Sequence, residues 1–297
     1  MNVFITGGTG FIGSYVVDEL VKRGHYVTLL ARNTSKIEAF LQNDKIRILK
    51  GTLEEENVIM EGLKGMDACI HIALCMGETP TKMLEMDTRS AVYVFEKAAK
   101  LGVKHIIYTS STAAIGQVRN HMDEFSHSVP TDLYGAAKAA AEAYLFAIAN
   151  SNQIQCNILR PAYTFGNPLF SDAPMEPDSR FRDIVAAAKQ GKPIELIKND
   201  GTQFIWAKEL AKLYLAVLES SENKKIYIAA GKEYITWSEV AKYAIELLHS
   251  KSVIKLKDLG WKKGACIYDS SAALRDFGIG FESREKVKEH IQFIANM

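Results

Sequence analysis

Charge of one sign is what this sequence most plainly lacks: 36 Lys and Arg stand against 35 Asp and Glu, a net charge of +1 over 297 residues. A near-neutral balance without long basic runs gives no electrostatic footprint for nucleic acid or an anionic membrane. Cysteine is scarce as well. Cys69, Cys75, Cys156 and Cys266 form no C-x-x-C pair and have no histidine at zinc spacing, so no metal site is expected. Cys69 and Cys156 fall in apolar runs where cysteine acts as a small hydrophobe, which suits a reducing, cytoplasmic setting. Long apolar runs are missing too. The longest, residues 68–76, is far short of a membrane span and contains His71. Met1 leads directly into a strand-like run, so no signal peptide is expected.

What the chain does have begins at Thr6-Gly7-Gly8-Thr9-Gly10-Phe11-Ile12-Gly13, directly after the apolar Val3-Phe4-Ile5. Strand, tight turn and helix start in that order cradle a dinucleotide pyrophosphate. Gly7 makes the turn, Gly10 lets the backbone approach the phosphates, and Gly13 lets the helix lie close on its strand. The first helical N–H groups have no intrahelical partners and can face an anion. Glycines also cluster in turns that bind nothing, so the strand before and the helix after carry this reading. The spacing, G-x-x-G-x-x-G, is one residue longer in its first gap than the G-x-G-x-x-G fingerprint.

Apolar runs at 3–6, 26–31, 46–49, 68–74, 105–110 and 155–159 read as buried strands, with helices between them at 11–23, 54–63, 83–101 and 133–150. The alternation predicts an α/β fold, a doubly wound parallel sheet of Rossmann type with helices on both faces. After Pro161 the regularity breaks. Residues 167–178 hold three of the seven prolines and read as a long loop, the kind that forms lids or substrate loops. Helices are expected near 181–190, 207–220, 237–249 and 284–295. The length suits two units: a dinucleotide-binding domain over 1–165, to which 203–232 returns, and a smaller α+β substrate-binding lobe over 166–297.

Tyr134 and Lys138 stand at i and i+4, on one face of the alanine-rich helix 133–150. A phenol titrates near pH 10, and a fixed ammonium beside it favours the phenolate, so Lys138 can tune Tyr134 as an acid–base group. A solvated chance pair has the same spacing. Ser110, Ser111 and Thr112 end the strand at 105–110, where ligands sit in an open parallel sheet. Hydroxyls there can hold a substrate oxygen, or simply cap a turn.

Taken together, the glycine loop, the strand-end hydroxyls and Tyr-x-x-x-Lys resemble the short-chain dehydrogenase/reductase superfamily. The T-G-G-T-G-F-I-G spacing is similar to its extended branch, the NAD-dependent epimerase/dehydratase family. Asp67-Ala68-Cys69-Ile70-His71-Ile72-Ala73 resembles that family's D-x-V-x-H-x-A strand, Leu159-Arg160-Pro161 its L-R-P strand, and Tyr234-Ile235-Thr236-Trp237-Ser238-Glu239 its helix start in the substrate lobe. The resemblance implies Tyr134 as general acid–base, Lys138 as its tuner and a ligand of the nicotinamide ribose, and Ser111, or its neighbour Thr112, as holder of the substrate oxygen. It places Gly7, Gly10, Phe11, Ile12 and Gly13 along the pyrophosphate, and Ala73 and Pro161 beside the cofactor.

The departures from the family pattern are specific. At the end of the second strand, Ala31-Arg32 replaces the carboxylate that takes an NAD ribose, which favours NADP over NAD, with Ser35 and Lys36 as helpers. An arginine stacked on adenine would serve NAD equally. Gly51-Thr52-Leu53 lacks the aspartate of the family's G-D-L. Tyr163 and Thr202 stand where nucleotide-sugar enzymes carry an asparagine and a diphosphate-binding arginine, so Tyr163 is a candidate substrate residue and a nucleotide-sugar substrate is disfavoured. The loop 117–130 carries His121, Asp123, Glu124 and His127, either a second acid–base set or a solvated loop.

The expected activity is an NAD(P)-dependent oxidoreductase moving hydride between nicotinamide and a carbonyl, an alcohol or a sugar derivative. The alternatives are a nucleotide-sugar epimerase or dehydratase with tightly bound NAD, and a non-catalytic NAD(P)-sensing protein. A small-molecule substrate, no nucleic acid, no membrane and a homodimer through the helices near 83–101 and 133–150 are expected.

Overall fold

The computed structural model describes residues 1–33, 40, 42–116, 119–169, 174–264 and 267–297. Ser35, Lys36, Gln117, residues 170–173 and Cys266 lie outside the described residues. The described residues form a central sheet of strands β1 (Asn2–Thr6), β2 (Tyr26–Ala31), β3 (Ile46–Lys50), β4 (Ala68–His71), β5 (His105–Thr109), β6 (Gln155–Pro161) and β7 (Lys225–Ala229). Every pairing in it is parallel, and the order is β7-β6-β5-β4-β1-β2-β3. Ile5 of β1 lies opposite Leu29 on one side and Ile70 on the other. The strand order reverses beside β1, the switch point where a doubly wound sheet opens a ligand crevice at the strands' carboxyl ends.

The inner strands β1, β4 and β5 are largely apolar and buried because both faces are covered. Val3 and Ile5 face one core, shared with helices α1 (Phe11–Arg23) and α6 (Ala207–Glu219), while Phe4 faces the other. That second core is filled from α2 (Glu56–Leu63), α3 (Arg89–Lys100) and α4 (Leu133–Asn152). Local chemistry fixes the ends. Gly24 closes α1 in the left-handed conformation at φ +99°, after Lys22 and Arg23 in the last turn. Asp132 caps α4 by accepting from the Gly135 N–H at 2.7 Å.

Two segments before residue 102 differ from the sequence reading. Strand β4 stops at His71, and Leu74, expected within it, is 44% exposed. The helix expected at 83–101 is in three pieces: a short turn Pro80–Met83, a π-helical turn Leu84–Thr88, and α3.

Beyond β6, helices α5 (Arg180–Lys189), α7 (Trp237–Leu247) and α9 (Arg284–Ala295) surround a third core of Phe165, Phe181, Phe204, Trp206 and Trp237. Thr236 and Glu239 form a reciprocal capping box at the start of α7. A short helix, α8 (Ser271–Phe277), was not anticipated and packs near β7, where Asp276 accepts from the Tyr227 hydroxyl. Among the described residues no helix is long and apolar enough to cross a membrane.

Candidate active site

The glycine loop is built by exclusion of side chains. Gly7 has φ +74°, and a Cβ there would stand 2.5 Å from the Ala73 nitrogen, so the chain leaving β4 lies directly on the loop. A Cβ on Gly13 would lie 2.1 Å from the Gly7 carbonyl oxygen, so glycine is what lets α1 close on the turn. Gly10 donates to the Gly7 carbonyl at 3.0 Å, and among the described residues a Cβ on Gly10 would meet only that oxygen, at 3.2 Å. The first turn of α1 contains no acidic residue. A backbone-lined cradle at a helix N-terminus without a competing carboxylate fits a pyrophosphate. Arg32 follows the end of β2 and is exposed.

The chemistry-bearing residues converge from three elements. Ser111 follows β5 and caps the short turn Thr112–Ala114 by accepting from the Ala113 N–H at 3.1 Å. Thr112 is buried and donates to the Pro161 carbonyl at 3.5 Å, joining the ends of β5 and β6. Tyr134 is in the first turn of α4, where Ser111 acts on its phenol. Gly135 makes that approach possible, since a Cβ on it would lie 2.2 Å from the Ala113 carbonyl oxygen. Glycine directly after the tyrosine was a signal the sequence reading passed over.

Lys138, one turn on, is buried. Its Nζ is 5.7 Å from the centre of the Tyr134 ring, 5.2 Å from that of Tyr108, and 3.5 Å from Oδ2 of Asp87. Burial raises the Tyr134 phenol above its ordinary value, opposed by the Ser111 hydroxyl and reinforced by Asp87 and Asp132. Burial lowers Lys138, and Asp87 opposes that fall. At Tyr134 burial outweighs what lowers the phenol. The lysine's charge is matched by a carboxylate that the sequence reading did not single out.

The remaining candidates have other partners. The Tyr163 hydroxyl donates to Asp178 at 2.8 Å, and its ring packs edge-on against Phe204 and Trp237. Burial, with Asp178, raises its phenol. Arg180 pairs with Asp178 and stacks on the Trp237 ring at 4.3 Å. Asp123 closes a tight turn with Ser126, Glu124 faces Arg275 at 3.7 Å, His121 faces Asp269 at 3.7 Å, and the His127 carbonyl accepts from Arg119. Thr202 pairs with Ile235 in a two-residue bridge, and its neighbour Gln203 is spent on the backbone of Gly231 and Tyr268. A cavity of about 320 Å³ between α7 and α9 is lined by Tyr243, Glu246, Leu247, Lys288, Ile291 and Gln292, with none of the residues above.

The sheet order, the glycine cradle and the Ser111–Tyr134–Lys138 convergence define an extended short-chain dehydrogenase/reductase. Residues 3–230 match the model of the NAD dependent epimerase/dehydratase family, and the chain belongs to that family. Relatives include a UDP-N-acetyl-alpha-D-glucosaminuronate decarboxylase of Bacillus cytotoxicus, 26% identical over 84% of this chain and 81% of that protein. A cinnamoyl-CoA reductase 1 of Oryza sativa subsp. japonica is 23% identical over 96% of this chain and 87% of its own length. Among solved structures, the UDP-glucuronic acid 4-epimerase from Bacillus cereus in complex with NAD superposes with TM-score 0.85 at 16% identity, covering 100% of this chain and 99% of that one. The UDP-glucose 4-epimerase of Thermotoga maritima with UDP-glucose gives 0.83 at 20% identity, with the same coverage.

Proposed function

We propose that this protein is a reductase or dehydrogenase of the epimerase/dehydratase family acting on a small carbonyl or alcohol, with NADP preferred to NAD. The observation that carries the reading is the meeting of Ser111, Tyr134 and Lys138 at the carboxyl end of β5, two strands from the glycine cradle on β1. The dinucleotide, when bound, supplies the hydride donor or acceptor. Gly7, Gly10 and Gly13 with the start of α1 hold its pyrophosphate, and Ala73 and Pro161 border it. Ser111 orients the substrate oxygen, and Tyr134 Oη gives that oxygen a proton or takes one from it. Lys138 holds positive charge beside the phenol and offers donors to the cofactor ribose.

Arg32, with no carboxylate beside it at the end of β2, supports the preference for a 2′-phosphate. Thr202 in place of an arginine, and Tyr163 committed to Asp178, argue against a sugar diphosphate. A nucleotide-sugar epimerase with tightly held NAD is the second reading, favoured by the UDP-sugar enzymes among the relatives. The outward side of α4, with Tyr144 54% exposed and Ala143 and Ala147 exposed, supports a homodimer through α3 and α4. The near-neutral charge and free cysteines suit the cytoplasm.

Nucleotide released on denaturing the purified protein, identified by mass spectrometry, separates the two readings. An empty protein that binds NADPH more tightly than NADH supports the reductase; near-stoichiometric NAD supports the epimerase. Tyr134→Phe should abolish turnover and spare cofactor affinity, and retained turnover would sink the mechanism.

A further inference from the structure

Asp87 lies in the π-helical turn Leu84–Thr88, which interrupts the path into α3. Turns of this kind place one extra residue in the helical circuit and cluster at functional sites. The side chain is almost wholly buried, and so is that of Lys138: 2% and 3% exposed. One carboxylate oxygen, Oδ1, is fixed by the backbone N–H of Cys75 at 3.0 Å, in the segment leaving β4. The other, Oδ2, faces the Lys138 ammonium at 3.5 Å without a well-directed hydrogen bond.

Such a pair is poor value as a structural strut. Removing two ions from water costs several kcal/mol each, and attraction offsets that only when hydrogen bonding is complete. Here it is incomplete: the buried Tyr108 hydroxyl, Ser110 hydroxyl and Thr88 hydroxyl also have no hydrogen-bond partner among the described residues. The other groups around the ammonium cannot supply its counter-charge. Glu142, on the same helix, is committed to Arg160 through two hydrogen bonds. His71 of β4 is held neutral by burial and by the lysine itself, pushed down to about 3. Cys75 is held as a thiol, mainly by burial, and the Tyr108 and Tyr134 phenols are raised, mainly by burial.

We infer that Asp87 is a positioning residue, whose carboxylate holds the Lys138 ammonium in place and in its charged form beside Tyr134. The inference rests on the Tyr134 and Lys138 roles proposed above. Asp87 acts through the lysine and touches no reacting atom. Tyr134 and Lys138 are close enough to lose their protons as a coupled pair. A fixed negative charge strengthens the pair's hold on its protons, so Asp87 sets the pH at which the protonated phenol, the donor in carbonyl reduction, is lost.

The test is a pH titration of the intact protein labelled with 13C at lysine Cε, the Lys138 resonance identified by its loss in Lys138→Met. In the parent protein Lys138 should stay ammonium through neutral pH. Asp87→Asn keeps the shape and an oxygen for the Cys75 N–H, and should move the Lys138 transition down by a pH unit or more, about a tenfold loss of proton affinity. Asp87→Glu, which keeps the charge, should restore most of it. Once a turned-over carbonyl is in hand, the alkaline limb of its reduction should move the same way in Asp87→Asn.

A Lys138 already neutral at pH 7 in the parent protein overturns the inference without recourse to any variant. So does a transition that Asp87→Asn leaves where it was, since a merely structural role would change the melting temperature and not the titration. The resonance needs no turnover, so its result is separable from the Tyr134→Phe test. A Tyr134 variant that still turns over would remove the reaction and leave the ion pair standing.

Discussion

Arg160 grips Glu142 through a fork, Nε to Oε1 at 2.9 Å and Nη2 to Oε2 at 2.6 Å, with neither side chain more than 5% exposed. The pair ties β6 to α4, the helix that carries Tyr134 and Lys138. Removing one partner strands a buried charge, so Glu142→Gln or Arg160→Met should cost on the order of 3 kcal/mol in urea unfolding. Replacing both by apolar residues should cost much less. A single variant within experimental error of the parent would show that the fork carries no stability.

The glycine loop makes a sharper demand. Gly13→Ala places a methyl group 2.1 Å from where the Gly7 carbonyl oxygen lies, and backbone cannot yield as a side-chain tip can. NADPH and NADH affinity should both fall by about tenfold or more, roughly 1.4 kcal/mol, because the cradle distorts for either cofactor. Isothermal titration with each nucleotide checks it, and unchanged affinity would remove the loop from the binding site.

Arg32 should discriminate between the two cofactors where the loop cannot. Arg32→Ala should weaken NADPH by about tenfold, the scale of a charge-assisted contact to phosphate, and leave NADH nearly untouched. Equal losses for both would assign Arg32 to the adenine instead.

Acid should destabilise the protein over a definite window. Burial depresses His71 to about 3, with Lys138 adding to it, and depresses His105 and His290 to about 4, from an ordinary 6.5. Between about pH 6.5 and 4 the unfolded chain therefore binds protons that the folded one refuses. Unfolding free energy should fall as pH falls through that range, by up to about 1.4 kcal/mol per pH unit for each histidine. His105 accepts from the Asn157 amide at 3.0 Å, as a neutral imidazole must. Urea midpoints at pH 7, 6 and 5 should show the slope, and His105→Gln should flatten it. A slope insensitive to that change would mean His105 is protonated in the folded protein.

Much of the sheet was legible because each strand is a local apolar run between local helix signals. Val3, Phe4 and Ile5 are apolar without alternation, which already says that both faces are covered. What escaped was set by contacts distant in sequence. Residues 83–101 have helical composition throughout, and nothing in their periodicity marks the π turn that brings Asp87 to Lys138. Tyr134 and Ser111 were paired by resemblance, but the close approach that joins them depends on Gly135 lying against Ala113. The direction of the Tyr134 shift depends on burial, which a sequence spacing does not report. The helix α8, at 7 residues, spans too few turns for a periodicity to stand out.

The edge strand β7 bears on how the molecule is made. It comes from residues 225–229, and α6, which shares the core beside α1, comes from residues 207–219. A ribosome releases the first six strands long before either. Until then Leu159, Ile107 and Val17 lack the apolar partners that Leu210, Tyr214 and Tyr227 provide, and β6 offers an unpaired edge to other chains. Synthesis thus holds the glycine cradle and the Tyr134 helix on an unfinished sheet until residue 229 is out, the interval in which a chaperone would matter most.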